Sequence, residues 1–210
     1  MYIFEAILLL ALDEEEGKIS DSNGSNLNAV LAGAVLSELV LQERITLTDG
    51  RIVVINQIPS EHPILDGVLY SILDTAKPRK VRYWINTLVY QEIMTEVIQT
   101  LVEQGVLERK KKHFRLASQP GNNPGDSISH KFILANRLRS IVLTAREPPQ
   151  SEIVLLTFLY QANLLKRVFM QGERKIARKR IQKLIETDHQ NNLVSTLNEI
   201  VEIACDADRC

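Results

Sequence analysis

A chain of 210 residues can bury a substantial core, and 45% hydrophobic with 24% charged residues is the composition of an ordinary globular protein. A formal net charge of −1 gives no overall basic excess that would point to nucleic acid, and two cysteines near one end exclude a disulfide framework. The charge is unevenly divided: residues 1–105 carry 7 Lys/Arg against 15 Asp/Glu (formal −8), and residues 106–210 carry 18 against 11 (formal +7). Either the halves pair within one domain, or a basic face is left for an anionic partner.

Residues 2–12, "YIFEAILLLAL", read as a short buried helix ended by the acidic turn "DEEEG". The stretch carries Glu5, lacks a basic leader and is about half the length of a membrane span, so a cytoplasmic, reducing compartment is expected. Residues 26–43 form a strong helix on the three-four spacing of Leu27, Val30, Leu31, Ala34, Val35 and Leu39. "ERITLTDGRIVVI" then supplies two strands turning at Asp49-Gly50, a pair that readily takes φ > 0. Pro59 and Pro63 precede a helix at about 64–75, and Pro78 marks the first turn of the next one.

Residues 91–104 repeat the helix–hairpin plan. Ile93, Met94, Val97, Ile98, Leu101 and Val102 make one apolar face, Gly105 fits the residue after the helix, and a basic hairpin follows. Residues 118–127, "SQPGNNPGDS", are an exposed loop. Helices at about 130–144, 151–170, 173–187 and 191–204 complete the chain, broken at Pro148-Pro149. The expected fold class is mainly α: a single globular helical domain over residues 1–210, with two short β-hairpins in winged-helix-like helix–hairpin units.

Enzyme motifs are missing: there is no G-x-G-x-x-G, G-x-x-x-x-G-K-[ST], G-x-S-x-G or H-E-x-x-H, and the four His show no metal-ligand spacing. The expectation is a protein that is not an enzyme, with no catalytic residues, no metal and no cofactor. Three basic clusters remain. Lys77, Arg79, Lys80 and Arg82 run up to Tyr83 and Trp84, a mixture suited to headgroups and membrane interfaces; solvated charges beside a core Trp84 are the plainer reading. Arg109, Lys110, Lys111, Lys112, Phe114 and Arg115 occupy the second hairpin, where lysines either contact phosphate or blunt an edge strand. Arg174, Lys175, Arg178, Lys179, Arg180 and Lys183 stripe an amphipathic helix, most simply as a solvated face.

The segments "AILLLALDEEEGKIS", "LAGAVLSELVLQERITL", "HPILDGVL", "KPRKVRYWI", "LVEQGVLERKKKHF" and "VLLTFLYQANLLKRVF", in this order, resemble the Golgi phosphoprotein 3 family over about residues 3–187. The resemblance implies a mostly helical single domain with a protruding hairpin. It also implies, in eukaryotic members, a non-enzymatic adaptor that binds phosphatidylinositol 4-phosphate and holds glycosyltransferases by their cytoplasmic tails. The four positions aligned with that family's headgroup pocket, a Trp and three Arg, hold Asn23, Ala32, Gln91 and Met94 here. None of these supplies the charge-assisted donors that a phosphomonoester needs, so a divergent, prokaryotic-type member without the specific pocket is expected.

The functional expectation is therefore a peripheral adaptor, cytoplasmic and membrane-associated, that binds anionic phospholipid non-selectively through its basic clusters while another surface holds a protein partner. A protein–protein scaffold or homo-oligomer without a lipid role is the alternative. A winged-helix nucleic-acid binder is disfavoured, because helix 91–104 offers Glu92, Glu96 and Glu103 where phosphates would repel them.

Overall fold

The computed structural model describes residues 1–14, 16–19, 27–110, 113–117, 129–144, 148–187 and 192–206. The fold is mainly helical, as expected. Helix α1 (Ile3–Ala11) is buried along its whole length, which is what a stretch apolar on every side requires. Helix α2 (Leu27–Leu41) is the central post, packed by α1 and by the later helices α3 (Pro63–Leu73), α4 (Val81–Tyr90), α5 (Ile93–Glu103), α7 (Gln150–Gln161) and α9 (Asn192–Cys205). Helices α6 (His130–Leu143) and α8 (Arg174–Thr187) lie outside it, α6 against α1 and α8, and α8 against α7. One hydrophobic cluster includes residues from Ile3 to Ala204.

The two helix–hairpin units are alike down to single hydrogen bonds. After α2, Glu43 takes a left-handed φ of 54°, and the amides of Glu43 and Arg44 donate to Val40 O (3.0 Å) and Leu39 O (2.9 Å). After α5, Gly105 takes φ 68°, and Gly105 and Val106 donate to Val102 O (3.0 Å) and Leu101 O (2.9 Å). Both are Schellman caps, which close the last carbonyls of a helix. Strands β3 (Ile45–Thr48) and β4 (Arg51–Val54) pair from Ile45↔Val54 to Thr48↔Arg51. Strands β6 (Leu107–Lys110) and β7 (His113–Leu116) pair from Leu107↔Leu116 to Lys110↔His113, in the same register. Asp49 (φ 51°) and Gly50 (φ 67°) form the first turn as expected; Lys111 and Lys112, in the second, lie outside the described residues.

Three departures from the sequence reading follow from local backbone competition. Residues Leu12–Asp13 (β1) and Lys18–Ile19 (β2) close a further small hairpin around the acidic turn. Arg79–Lys80 (β5) pair with Arg51 and Ile52, so Pro78 ends a loop and α4 begins only at Val81. The expected helix over 151–170 stops at Gln161, because Asn163 adopts φ 56°, a conformation Asn tolerates, and a 3₁₀ turn follows at Leu164–Arg167. Residues 118–127, read as an exposed loop, lie outside the described residues.

Candidate functional site

The pairing of β4 with β5 gathers the first basic cluster. Arg51 stands opposite Lys80, its Nη1 donates to Pro78 O at 3.1 Å, and α4 begins immediately after Lys80. Arg51, Lys77, Arg79, Lys80 and Arg82 are all exposed, and none makes an ion pair among the described residues. Arg79 lies over the Tyr83 ring, 5.2 Å from its centre, and Tyr83 is 46% exposed. Trp84, grouped with these cations on sequence, is a core side chain at 3% exposure, its ring edge-on to Tyr83. The outward aromatic of this corner is Tyr83. Arg51 is the member that sequence reading missed, since only strand pairing brings it to Lys80.

The second cluster is less free. Arg109, Lys110 and Arg115 are exposed, but Arg115 faces Glu108 across the hairpin. Phe114 is half-buried against the core and its amide donates to Gly17 O at 2.7 Å. Gly17 has φ 64°, and a Cβ there would come within 2.9 Å of the His113 Cβ. The start of β7, the end next to the hairpin's own turn, is thereby clamped to the β1–β2 turn, and Phe114 is part of that clamp.

Elsewhere, the buried polar groups are mostly structural. Glu5 accepts from the Tyr2 amide (2.9 Å) and the Gln104 side chain (3.1 Å), with His62 Nε2 3.7 Å away. Burial pushes the Glu5 carboxyl up, but His62 beside it and these two donors outweigh burial and hold it below its ordinary value. Glu38, which accepts from the Ile3 amide at 3.0 Å, is raised by burial. Burial pushes the Cys205 thiol up to about 12, which leaves it protonated and unreactive at neutral pH. Among the described residues no group of three His, Cys, Asp or Glu is placed to hold a metal, and no helix is long and apolar enough to cross a membrane.

The sequence model of the Golgi phosphoprotein 3 family matches residues 3–203. The chain belongs to the Golgi phosphoprotein 3 family. The positions aligned with the family's headgroup pocket are dispersed in environment here. Ala32 is fully buried within α2, Met94 is half-buried on α5, and Asn23 lies outside the described residues. Gln91, the residue that caps α4, lines a cavity of about 370 Å³ between α3 and α5. Glu96 lines the same cavity and, among the described residues, no cationic side chain does, so its wall disfavours an anion.

Proposed function

We propose that this family member is a non-catalytic adaptor that rests on anionic membranes through the Arg51/Lys77/Arg79/Lys80/Arg82 corner, assisted by Arg109, Lys110 and Arg115. The carrying observation is that five exposed cations sit on β4, β5, the loop before β5 and the start of α4, Arg51 opposite Lys80, with no ion-pair partner among the described residues. Attraction to an anionic leaflet is worth about 1 kcal/mol per Lys or Arg near the surface, so five give up to about 5 kcal/mol, screened by salt. Tyr83 adds an interfacial aromatic ring beside Arg79. Such binding is reversible and reads surface charge. The substitutions at Ala32, Gln91 and Met94 support that lack of headgroup selectivity.

Co-sedimentation with phosphatidylcholine vesicles carrying increasing phosphatidylserine tests the proposal: binding rises with anionic lipid and falls with salt. Absence of binding to strongly anionic vesicles at low salt defeats it. A protein-binding surface is supported separately by α6, where Ile133 (51% exposed) lines a largely apolar groove of about 190 Å³ between α1, α6 and α7, and its neighbour in sequence, Phe132, is 60% exposed. Phe132→Ser with Ile133→Ser lowers any self-association seen by light scattering if that groove holds a second copy. It leaves the mass unchanged if the groove serves a different protein.

A further inference from the structure

A cleft of about 570 Å³ opens where the end of α7, the 3₁₀ turn, α8 and the end of α9 meet, far along the chain from the corner described above. Three cations line it. Lys166 comes from the 3₁₀ turn, and Arg174 and Arg178 lie one helical turn apart on α8, so they share a face. Lys166 and Arg178 are exposed, and neither has an ion-pair or hydrogen-bond partner among the described residues. Arg174 is half-buried and oriented: its Nε donates to Phe169 O at 3.1 Å, which leaves the two Nη groups for a ligand.

The acid nearest in sequence does not neutralise it. Glu173 is held by Arg139 through two bonds (3.1 and 2.6 Å) and accepts the Met170 amide. The remaining lining is mostly polar: Gln161, Asn163, Tyr160 and Asp206, beside Leu165 and Cys205. The left-handed Asn163 (φ 56°) ends α7 and sends the chain into the turn that carries Lys166 to this wall. Tyr160 is fixed by Gln182, whose Nε2 donates to its hydroxyl at 2.8 Å.

We infer that this cleft binds a phosphate monoester carried on a small polyol, the phosphate meeting Lys166, Arg174 and Arg178 and the hydroxyls meeting Asn163, Gln161 and Asp206. Among the described lining residues, three cations against one carboxylate favour an anion, and Arg with Lys is the donor set that phosphate oxygens take. A volume of about 570 Å³ admits a sugar-sized ligand, and its polar walls disfavour an apolar one. This site is independent of the membrane-facing corner, so either can fail while the other stands.

Calorimetric titration of the whole chain with glucose 6-phosphate, and with glucose as the uncharged control, tests it. The phosphate binds and glucose does not. Arg178→Gln and Lys166→Gln each weaken binding about tenfold or more, the loss expected for one charge-assisted contact. Both side chains are exposed, so an unchanged thermal midpoint accompanies the loss. Lys77→Gln with Lys80→Gln leaves the titration as in the parent. Phosphatidic acid in phosphatidylcholine vesicles separates the two sources of a monoester. If only these vesicles bind, and binding depends on Lys166 and Arg178, the ligand is lipid-borne; a soluble response alone makes it a free metabolite. Failure of both probes, or binding that both substitutions leave intact, overturns the inference.

Discussion

Gly33 sits where α2 crosses closely against α9. A Cβ built on it would lie 2.5 Å from the Ala204 Cβ on α9 and 3.4 Å from two carbons of the Phe158 ring on α7. Carbon atoms prefer separations of about 3.5–4.0 Å, so Gly33→Ala forces α2 and α9 apart by about 1 Å. Neither a methine-bound methyl nor the helix backbone behind it can rotate away. Ala is favoured over Gly inside a helix by up to about 1 kcal/mol, while overpacking a close-packed core costs about 1–3 kcal/mol. The second effect wins, and Gly33→Ala lowers stability by about 1–2 kcal/mol. Urea unfolding followed by circular dichroism reads this as a lower midpoint at unchanged slope. Ala204→Gly removes the opposing methyl, so in the double variant part of the loss returns, a coupling of about 1 kcal/mol or more. A Gly33→Ala protein as stable as the parent refutes the close crossing, and so does a double variant whose losses simply add.

Other outcomes follow from the same structure. Gly105 has φ 68° and open space around it, so Gly105→Ala costs about 1 kcal/mol from backbone conformation alone, whereas Glu43→Gly at φ 54° stabilises by up to about that amount; urea midpoints that move the same way contradict the paired caps. Because Glu5 is held below the ordinary carboxylate value in the fold, its contribution is complete above the ordinary value of 4.5 and is lost as pH falls through its lower folded value. Glu5→Gln therefore flattens the acid side of a stability-versus-pH curve; Glu38, raised, acts with the opposite sign just above 4.5 and is unaffected by that substitution. The single tryptophan, Trp84, is buried, so its emission stays unchanged on vesicle binding, whereas a Tyr83→Trp variant adds a component that shifts to the blue. A blue shift in the parent protein contradicts the buried placement.

The helices were legible because their signals are local: the three-four spacing in α2 and α5, Gly105 after α5, and the Asp49-Gly50 turn all act within a few residues. What escaped depends on partners distant in sequence. Nothing in "KPRKVRYW" says that Arg79 and Lys80 will pair with Arg51 and Ile52, and without that pairing a helix from Pro78 is the natural reading. The same pairing decided which aromatic of Tyr83 and Trp84 faces out. Asn163 was readable in principle, since Asn is frequent in left-handed conformations, but the apolar run around it hid the break. The basic stripe of α8 was visible as a stripe; only the folding of α7 and α9 against it made Arg174 and Arg178 one wall of a cleft.

The central claim, attraction through the basic corner, is tested most directly by vesicle co-sedimentation of two variants beside the parent chain. One replaces Arg51, Lys77, Arg79, Lys80 and Arg82 with Gln, and the other replaces only Arg109, Lys110 and Arg115. At low salt, the first variant loses nearly all binding to phosphatidylserine vesicles, about tenfold for each 1.4 kcal/mol removed, while the second retains most of it. A corner variant that binds like the parent, or parent binding that is indifferent to salt, contradicts the account.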